Sequence, residues 1–72
     1  MEKAKIITLF SGILNDLIKE KGISLRKIEA EINIDHSTFS RWLHGQTLPQ
    51  ADYLWLLADY FGCTLDYLLG RE

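Results

Sequence analysis

Several features that define other protein classes are scarce in this chain of 72 residues. Its single cysteine, Cys63, excludes an internal disulfide bond, which fits the cytoplasmic location that we expect. No apolar run approaches the ~20 residues that are needed to span a membrane. The short run from Ile6 to Leu14 follows two lysines, but it lacks the small-residue cleavage motif of a secretory signal. We therefore expect no membrane partner.

The residue patterns of common catalytic and cofactor sites are also missing. His36 and His44 lie close to serines in the sequence, but neither an orienting acid nor an oxyanion site is evident. Together with Cys63, the histidines do not follow the spacing of metal ligands, and there is no glycine-rich phosphate loop. We therefore expect no enzyme activity, no cofactor, no metal and no small-molecule ligand.

The chain lacks the excess of positive charge that nucleic-acid-binding domains usually have. Its formal net charge is −2, which argues against such a partner. The charges are unevenly placed, however. Residues 19–44 carry five lysine and arginine side chains against four acidic ones, whereas residues 45–72 carry one against four. The acidic excess therefore lies away from the central segment.

What the chain does have is helical periodicity, with enough apolar side chains (47%) for one small core. We expect a single domain over residues 1–72. A long first helix is predicted from Met1 to Lys21. A fourth helix is predicted over residues 51–61, ahead of which Pro49 fits well because proline cannot extend a preceding helix. A short fifth helix follows, with Leu65, Leu68 and Leu69 packing inward and Tyr67 outward.

The central segment, residues 24–45, predicts two short helices joined by a tight turn. Ser24 is a good N-cap for the first helix, and Asp35 is a good N-cap for the second. Asn33 lies where the turn needs a left-handed residue, a conformation that asparagine tolerates. This is the shape of a helix-turn-helix, in which the second helix is presented outward. The expected helices span residues 25–32 and about 36–44.

Motifs along most of the chain keep the order and spacing of a known family. They are Leu17 to Ser24, Ile34 to Gly45, Leu48-Pro49, Leu57-Ala58, Gly62, Thr64 to Asp66 and Leu68 to Gly70. In these stretches the chain resembles the phage repressor/Cro (XRE-like) family of DNA-binding domains. The resemblance implies an all-α, compact five-helix bundle that contains a helix-turn-helix.

The resemblance also implies which residues contact double-stranded DNA. The base-reading positions in the major groove carry over onto His36, Ser37 and Arg41. Arg41 is the best candidate, because a guanidinium can bind both O6 and N7 of a guanine. Its alternative role is a phosphate contact or a solvated surface charge. The expected contacts to the DNA backbone are Ser24, Leu25, Thr38, Ser40, His44, Gln46 and Thr47.

The chain departs from the family at two informative positions. Glu29 stands where the family usually has a small residue, so its carboxylate must bend out to solvent or find a cation. Leu25 stands where the family often has a polar side chain, which removes one phosphate contact and lowers the expected affinity for DNA.

The fourth and fifth helices carry more large apolar groups than a small core can hold. Scattered surface aromatics are common, but aromatics are also enriched in interface cores, and the family often pairs through this end. We therefore predict a homodimer. The predicted interface residues are Tyr53, Trp55, Leu56, Tyr60 and Tyr67.

Together these features predict a sequence-specific transcriptional regulator, a repressor that binds a palindromic operator as a dimer. The alternative is a protein-interaction module that has kept the fold and lost DNA binding. The negative net charge, Glu29, Leu25 and the apolar surfaces of the first and fourth helices favour that alternative.

Overall fold

The computed structural model describes residues 2–72, in which five α-helices occur and no strand. The all-α, five-helix architecture expected from the sequence is therefore confirmed. Met1, the expected start of the first helix, lies outside the described residues, and Glu2, expected within that helix, is instead its N-cap with extended backbone. The helices are α1 (Lys3–Lys21), α2 (Leu25–Ile32), α3 (His36–Leu43), α4 (Ala51–Phe61) and α5 (Leu65–Leu68).

One apolar core holds the helices together. α1 packs against α3 and α5, α2 packs against α3 and α4, and α4 packs against α5. Both α1 and α2 pack against α3, which leaves His36, Ser37 and Arg41 of α3 exposed to solvent. The core side chains are Phe10, Leu14, Ile28, Ile32, Phe39, Trp42, Leu57, Ala58 and Leu68.

The turn between α2 and α3 depends on the left-handed backbone of Asn33. With φ 55° and ψ 59°, it has the only positive φ among the described non-glycine residues. Its N–H and that of Ile34 both donate to the carbonyl of Glu29. These bonds satisfy the end of α2 and redirect the chain into α3, so the conformation predicted for Asn33 is confirmed.

Substitutions at Asn33 are expected to separate the effect of the backbone from that of the side chain. Asn33→Val should lower the free energy of unfolding by about 1–2 kcal/mol, because a β-branched side chain is strained in the left-handed region, which asparagine tolerates. Asn33→Gly, which has no such strain, should unfold at the same or a higher urea concentration than the wild type. Urea titrations followed by circular dichroism measure both variants, and equal midpoints for the valine and glycine variants would contradict the prediction.

One prediction for α5 is wrong. Leu65, expected to pack inward, is 42% exposed, whereas Leu68 is fully buried and Leu69 packs against the core. Leu65 is the first residue of the helix, and helical side chains tilt toward the N-terminus. Its side chain therefore extends past the edge of the core and lines a shallow surface groove with Trp55 and Cys63. Tyr67 is 42% exposed and points outward as expected.

Candidate nucleic-acid interface

Two side-chain caps determine where α2 and α3 begin. The hydroxyl of Ser24 accepts a hydrogen bond from the N–H of Lys27 at 3.2 Å. The carboxylate of Asp35 accepts from the N–H of Thr38 at 3.1 Å and from its hydroxyl at 2.8 Å. The hydrogen bonds from Thr38 favour the charged form and lower the pKa of Asp35. Both predicted N-caps are thus confirmed, and they set the first residue of each helix.

The inner face of α3 is held by two aromatic side chains. Phe39 is fully buried and Trp42 is 2% exposed. Their rings meet edge to face with centroids 6.0 Å apart, and Trp42 also packs against Tyr53 of α4 with centroids 5.4 Å apart. Because these contacts fix the rotation of α3 about its own axis, they decide which side chains point outward.

The outer face of α3 carries the three predicted base-reading side chains, and all three are exposed. His36 and Ser37 lie in the first turn, and Arg41 lies one turn further along. The Nε–H of Arg41 donates to the carbonyl of Ser37 at 3.4 Å. Since this bond is long, the guanidinium can leave it to bind another acceptor. The face is therefore open and rich in hydrogen-bonding groups, as a surface that reads base edges must be.

Glu29 links α2 to the start of α3. Its Oε2 lies 2.8 Å from Nδ1 of His36. The Glu29 side chain is only 13% exposed, whereas that of His36 is 71% exposed. The carboxylate was expected to turn to solvent or to find a cation, and the structure shows it against the imidazole of His36. That imidazole carries positive charge only when it is protonated.

The C-terminal end of α3 is organised around His44. The Nδ1 atom of His44 lies 2.7 Å from the carbonyl oxygen of Ser40 and 3.2 Å from its hydroxyl. The N–H of Gln46 donates to the carbonyl of Arg41 at 2.9 Å, which closes the helix. His44 and Gln46 are exposed and Thr47 is half-buried, so these predicted backbone contacts follow one another just beyond α3.

The remaining residues predicted to contact the DNA backbone lie at the start of α2 or within α3. Ser24 and Leu25 are exposed at the beginning of α2, where Leu25 presents an apolar side chain. Thr38 and Ser40 are half-buried, and both hydroxyls are already in hydrogen bonds within the helix. The exposed predicted contacts therefore lie near the two ends of α3, and Arg41 is the main exposed one in its middle.

A sequence-family model described as "Helix-turn-helix" matches residues 14–68. The chain belongs to the helix-turn-helix family. This match covers most of the chain, and it confirms the XRE-like resemblance read from the sequence motifs. The family consists of DNA-binding transcription regulators.

One similar curated protein is the HTH-type transcriptional regulator AnsR of Bacillus subtilis. It is 39% identical over 59 residues, which cover 82% of this chain and 51% of AnsR. The chain thus spans about half the length of this relative. No solved structure matches. No helix of residues 2–72 has both the length and the apolarity of a membrane-spanning segment.

Two side chains of α1 bind the C-terminal end of α3 in this helix-turn-helix domain, and neither contact was predicted from the sequence. The hydroxyl of Ser11 and the side-chain amide of Asn15 donate to the carbonyl of Leu43 at 2.7 and 3.0 Å. Gly45 lies beside Ser11, where a Cβ would be 3.7 Å from the serine. Ser11 and Asn15 are four residues apart on one face of α1. Their spacing was visible in the sequence, but their common acceptor was not.

Removing both donors is expected to loosen α3. The double variant Ser11→Ala/Asn15→Ala should lower the free energy of unfolding by about 1–2 kcal/mol, because the Leu43 carbonyl loses its partners on α1. Thr8→Ala is the matched control, since the hydroxyl of Thr8 bonds only to Ala4 within α1, at 3.0 Å. Thermal unfolding followed by circular dichroism measures the difference. A double variant as stable as the control would show that these bonds contribute nothing.

The five residues predicted for a dimer interface fall into two groups. Tyr53 and Tyr60 are half-buried and make contacts within the chain. Tyr53 packs on Trp42, whereas Tyr60 donates to Glu31 at 3.2 Å and stacks edge to face on Phe61. The remaining three are exposed, at 60%, 39% and 42% for Trp55, Leu56 and Tyr67.

Proposed function

We propose that this chain is the DNA-binding domain of a transcription regulator and that α3 reads base edges in the major groove. The observation that carries the proposal is the orientation of α3. Phe39 and Trp42 are buried, and the opposite face presents His36, Ser37 and Arg41 to solvent. The width of the major groove admits one α-helix. In a helix-turn-helix, the N-terminal part of the second helix makes the base contacts.

The positioning contacts are proposed to come from the start of α2, from α3 itself and from the residues just beyond the end of α3. Ser24 and Leu25 lie at the start of α2, where the backbone amides of a helix N-terminus suit a phosphate oxygen. His44, Gln46 and Thr47 supply the second group of contacts, beyond the end of α3. Thr38 and Ser40 complete the proposed set. Because these groups contact phosphates rather than bases, they set the register of α3 without reading sequence.

We further propose that the regulator acts as a homodimer on a palindromic operator and represses by occupying it. The proposed interface uses the exposed Trp55, Leu56 and Tyr67 together with the half-buried Tyr53 and Tyr60. A two-fold dimer would place two α3 helices about 34 Å apart, which is one turn of DNA. Sedimentation equilibrium tests the pairing. We expect a dimer for the wild type and a monomer for Trp55→Ala, and a wild-type monomer at every concentration would refute it.

The first test of DNA binding is a fluorescence anisotropy titration of a labelled random duplex at two salt concentrations. We expect weak binding that decreases with salt, with a shallow dependence because the domain has a net charge of −2. Selection of bound sequences from a random duplex pool then gives the site. A palindrome supports the dimer, whereas no binding even at low salt would overturn the proposed function.

The alternative function is a protein-interaction module with the same fold. The observation that favours it is the exposed Trp55 on α4, together with an acidic C-terminal segment that holds Asp52, Asp59 and Asp66. The duplex titration separates the two functions. An interaction module would not bind DNA, and Arg41→Ala would leave its behaviour unchanged.

A further inference from the structure

We infer that Glu29 determines the tautomer of His36, so that the ring nitrogen Nε2 meets the DNA as a hydrogen-bond acceptor when the imidazole is neutral. The expected effect on base preference rests on the proposed DNA-binding function. The tautomer itself is a property of the free protein and can be measured without DNA. Glu29 would thus be a residue that sets base preference without touching a base.

The geometry at the start of α3 gives the first step. Oε2 of Glu29 lies 2.8 Å from Nδ1 of His36. An ionised carboxylate can only accept hydrogen bonds, so the proton must be on Nδ1. A neutral imidazole has one protonated nitrogen, which leaves Nε2 with a free lone pair. The hydrogen bond made by one ring nitrogen thereby fixes the state of the other.

Burial gives the second step. The side chain of Glu29 is 13% exposed and belongs to α2, which packs against α3, whereas the side chain of His36 is 71% exposed. The carboxylate of Glu29 is therefore largely shielded from water by the packed helices, while most of the His36 imidazole extends into solvent. Since Nδ1 faces the protein, the ring edge that bears Nε2 is the one free to reach a ligand.

The base code of the major groove gives the third step. An acceptor nitrogen pairs with the exocyclic amino group of cytosine or adenine, whereas a protonated nitrogen pairs with O6 or N7 of guanine, with O4 of thymine or with N7 of adenine. Adenine can thus pair with either tautomer, but cytosine presents only a donor and guanine only acceptors. With Glu29 in place, we expect cytosine rather than guanine at the position that His36 meets.

The first experiment uses the free protein and needs no DNA. Proton–nitrogen correlation spectra of the histidine rings in alkaline buffer, where imidazoles are neutral, report which nitrogen carries the proton. His36 should show a protonated Nδ1 in the wild type and in Glu29→Gln, whose amide oxygen can also accept. In Glu29→Ala the proton should move to Nε2. Alanine is the best helix former, so the fold of α2 is kept.

His44 is the internal control in the same spectra, because the chain has only two histidines. Its Nδ1 lies 2.7 Å from the carbonyl of Ser40, which can only accept, so its proton should stay on Nδ1 in every variant. A protonated Nε2 on His36 in the wild type would overturn the inference. So would a His36 signal that does not change in Glu29→Ala while His44 keeps its wild-type signal.

The second experiment measures base preference by titrating duplexes that differ only at the base pair facing His36. In the wild type we expect about fivefold tighter binding when the base that faces His36 is cytosine than when it is guanine, the effect of one hydrogen bond. Glu29→Ala should lose or reverse this ratio, and Glu29→Gln should keep it. Using a ratio removes the general gain in affinity for DNA that follows from deleting a carboxylate.

A double-substitution cycle distinguishes positioning from a general structural effect. If Glu29 acts through His36, then Glu29→Ala changes no base preference in a His36→Ala background. A change of equal size in that background would overturn the inference. If the wild type binds no duplex, the proposed function fails, and the ring spectra still decide whether Glu29 sets the tautomer.

Discussion

Replacing Trp42 by alanine is expected to lower the free energy of unfolding by about 3–5 kcal/mol. Trp42 is 2% exposed and packs against Phe39 of α3 and Tyr53 of α4, so its loss leaves a cavity between two helices. Domains of this size are marginally stable, because a small core buries a smaller fraction of the surface that the unfolded chain exposes. We therefore expect Trp42→Ala to be largely unfolded in thermal melts followed by circular dichroism.

The matched control is the other tryptophan of the chain. Trp55 is 60% exposed, and Trp55→Ala removes the same atoms without opening a cavity. In a monomeric sample, the free energy of unfolding of Trp55→Ala should stay within about 0.5 kcal/mol of that of the wild type, as for most surface substitutions. If the two variants lost equal stability in a monomeric sample, the assignment of Trp42 to the core and Trp55 to the surface would be contradicted.

Replacing Arg41 by alanine is expected to produce the largest loss of DNA discrimination. If Arg41 binds a guanine through O6 and N7, the contact contributes about 1–3 kcal/mol. This corresponds to a ratio of about 5 to 150 between the affinities for the selected site and for a site in which that guanine is changed. Anisotropy titrations of the two duplexes measure the ratio. Arg41 is exposed, so the loss is not expected to come from unfolding.

Arg41→Lys separates base reading from charge. Lysine keeps the positive charge, but it cannot present the planar pair of donors that matches a guanine edge. We expect this variant to retain the affinity of the wild type for random duplex and to lose most of its discrimination. If Arg41→Lys discriminated as well as the wild type, Arg41 would be a phosphate contact, which was the alternative role read from the sequence.

The elements that the sequence predicted correctly are those that depend on neighbouring residues. Ser24 and Asp35 cap the next turn of their own helices through atoms three residues away. Asn33 adopts the left-handed conformation because of its own backbone preference. The helix bounds of α2 and α4 follow from apolar spacing and from such caps. These interactions are local, so a pattern in the sequence is enough to predict them.

The arrangement of the candidate site depends instead on contacts between residues far apart in the chain. Nothing in the sequence pattern pairs Glu29 with His36, or attaches Leu43 to Ser11 and Asn15, which lie 32 and 28 residues away. The apolar spacing likewise cannot show that the side chain of Leu65 extends past the edge of the core. Such contacts depend on the angle at which helices cross, and that angle is set by the packing of the whole core.

The sequence by itself determined that this chain forms helices, where α2 and α4 begin and end, and which family its motifs resemble. The tertiary structure decided which side chains share the core and which are left to solvent, most clearly for Trp42 and Trp55. It also decided that Glu29 meets His36. The physical reason is that caps and periodicity act within one turn of helix, whereas burial and side-chain pairing exist only after the helices have packed.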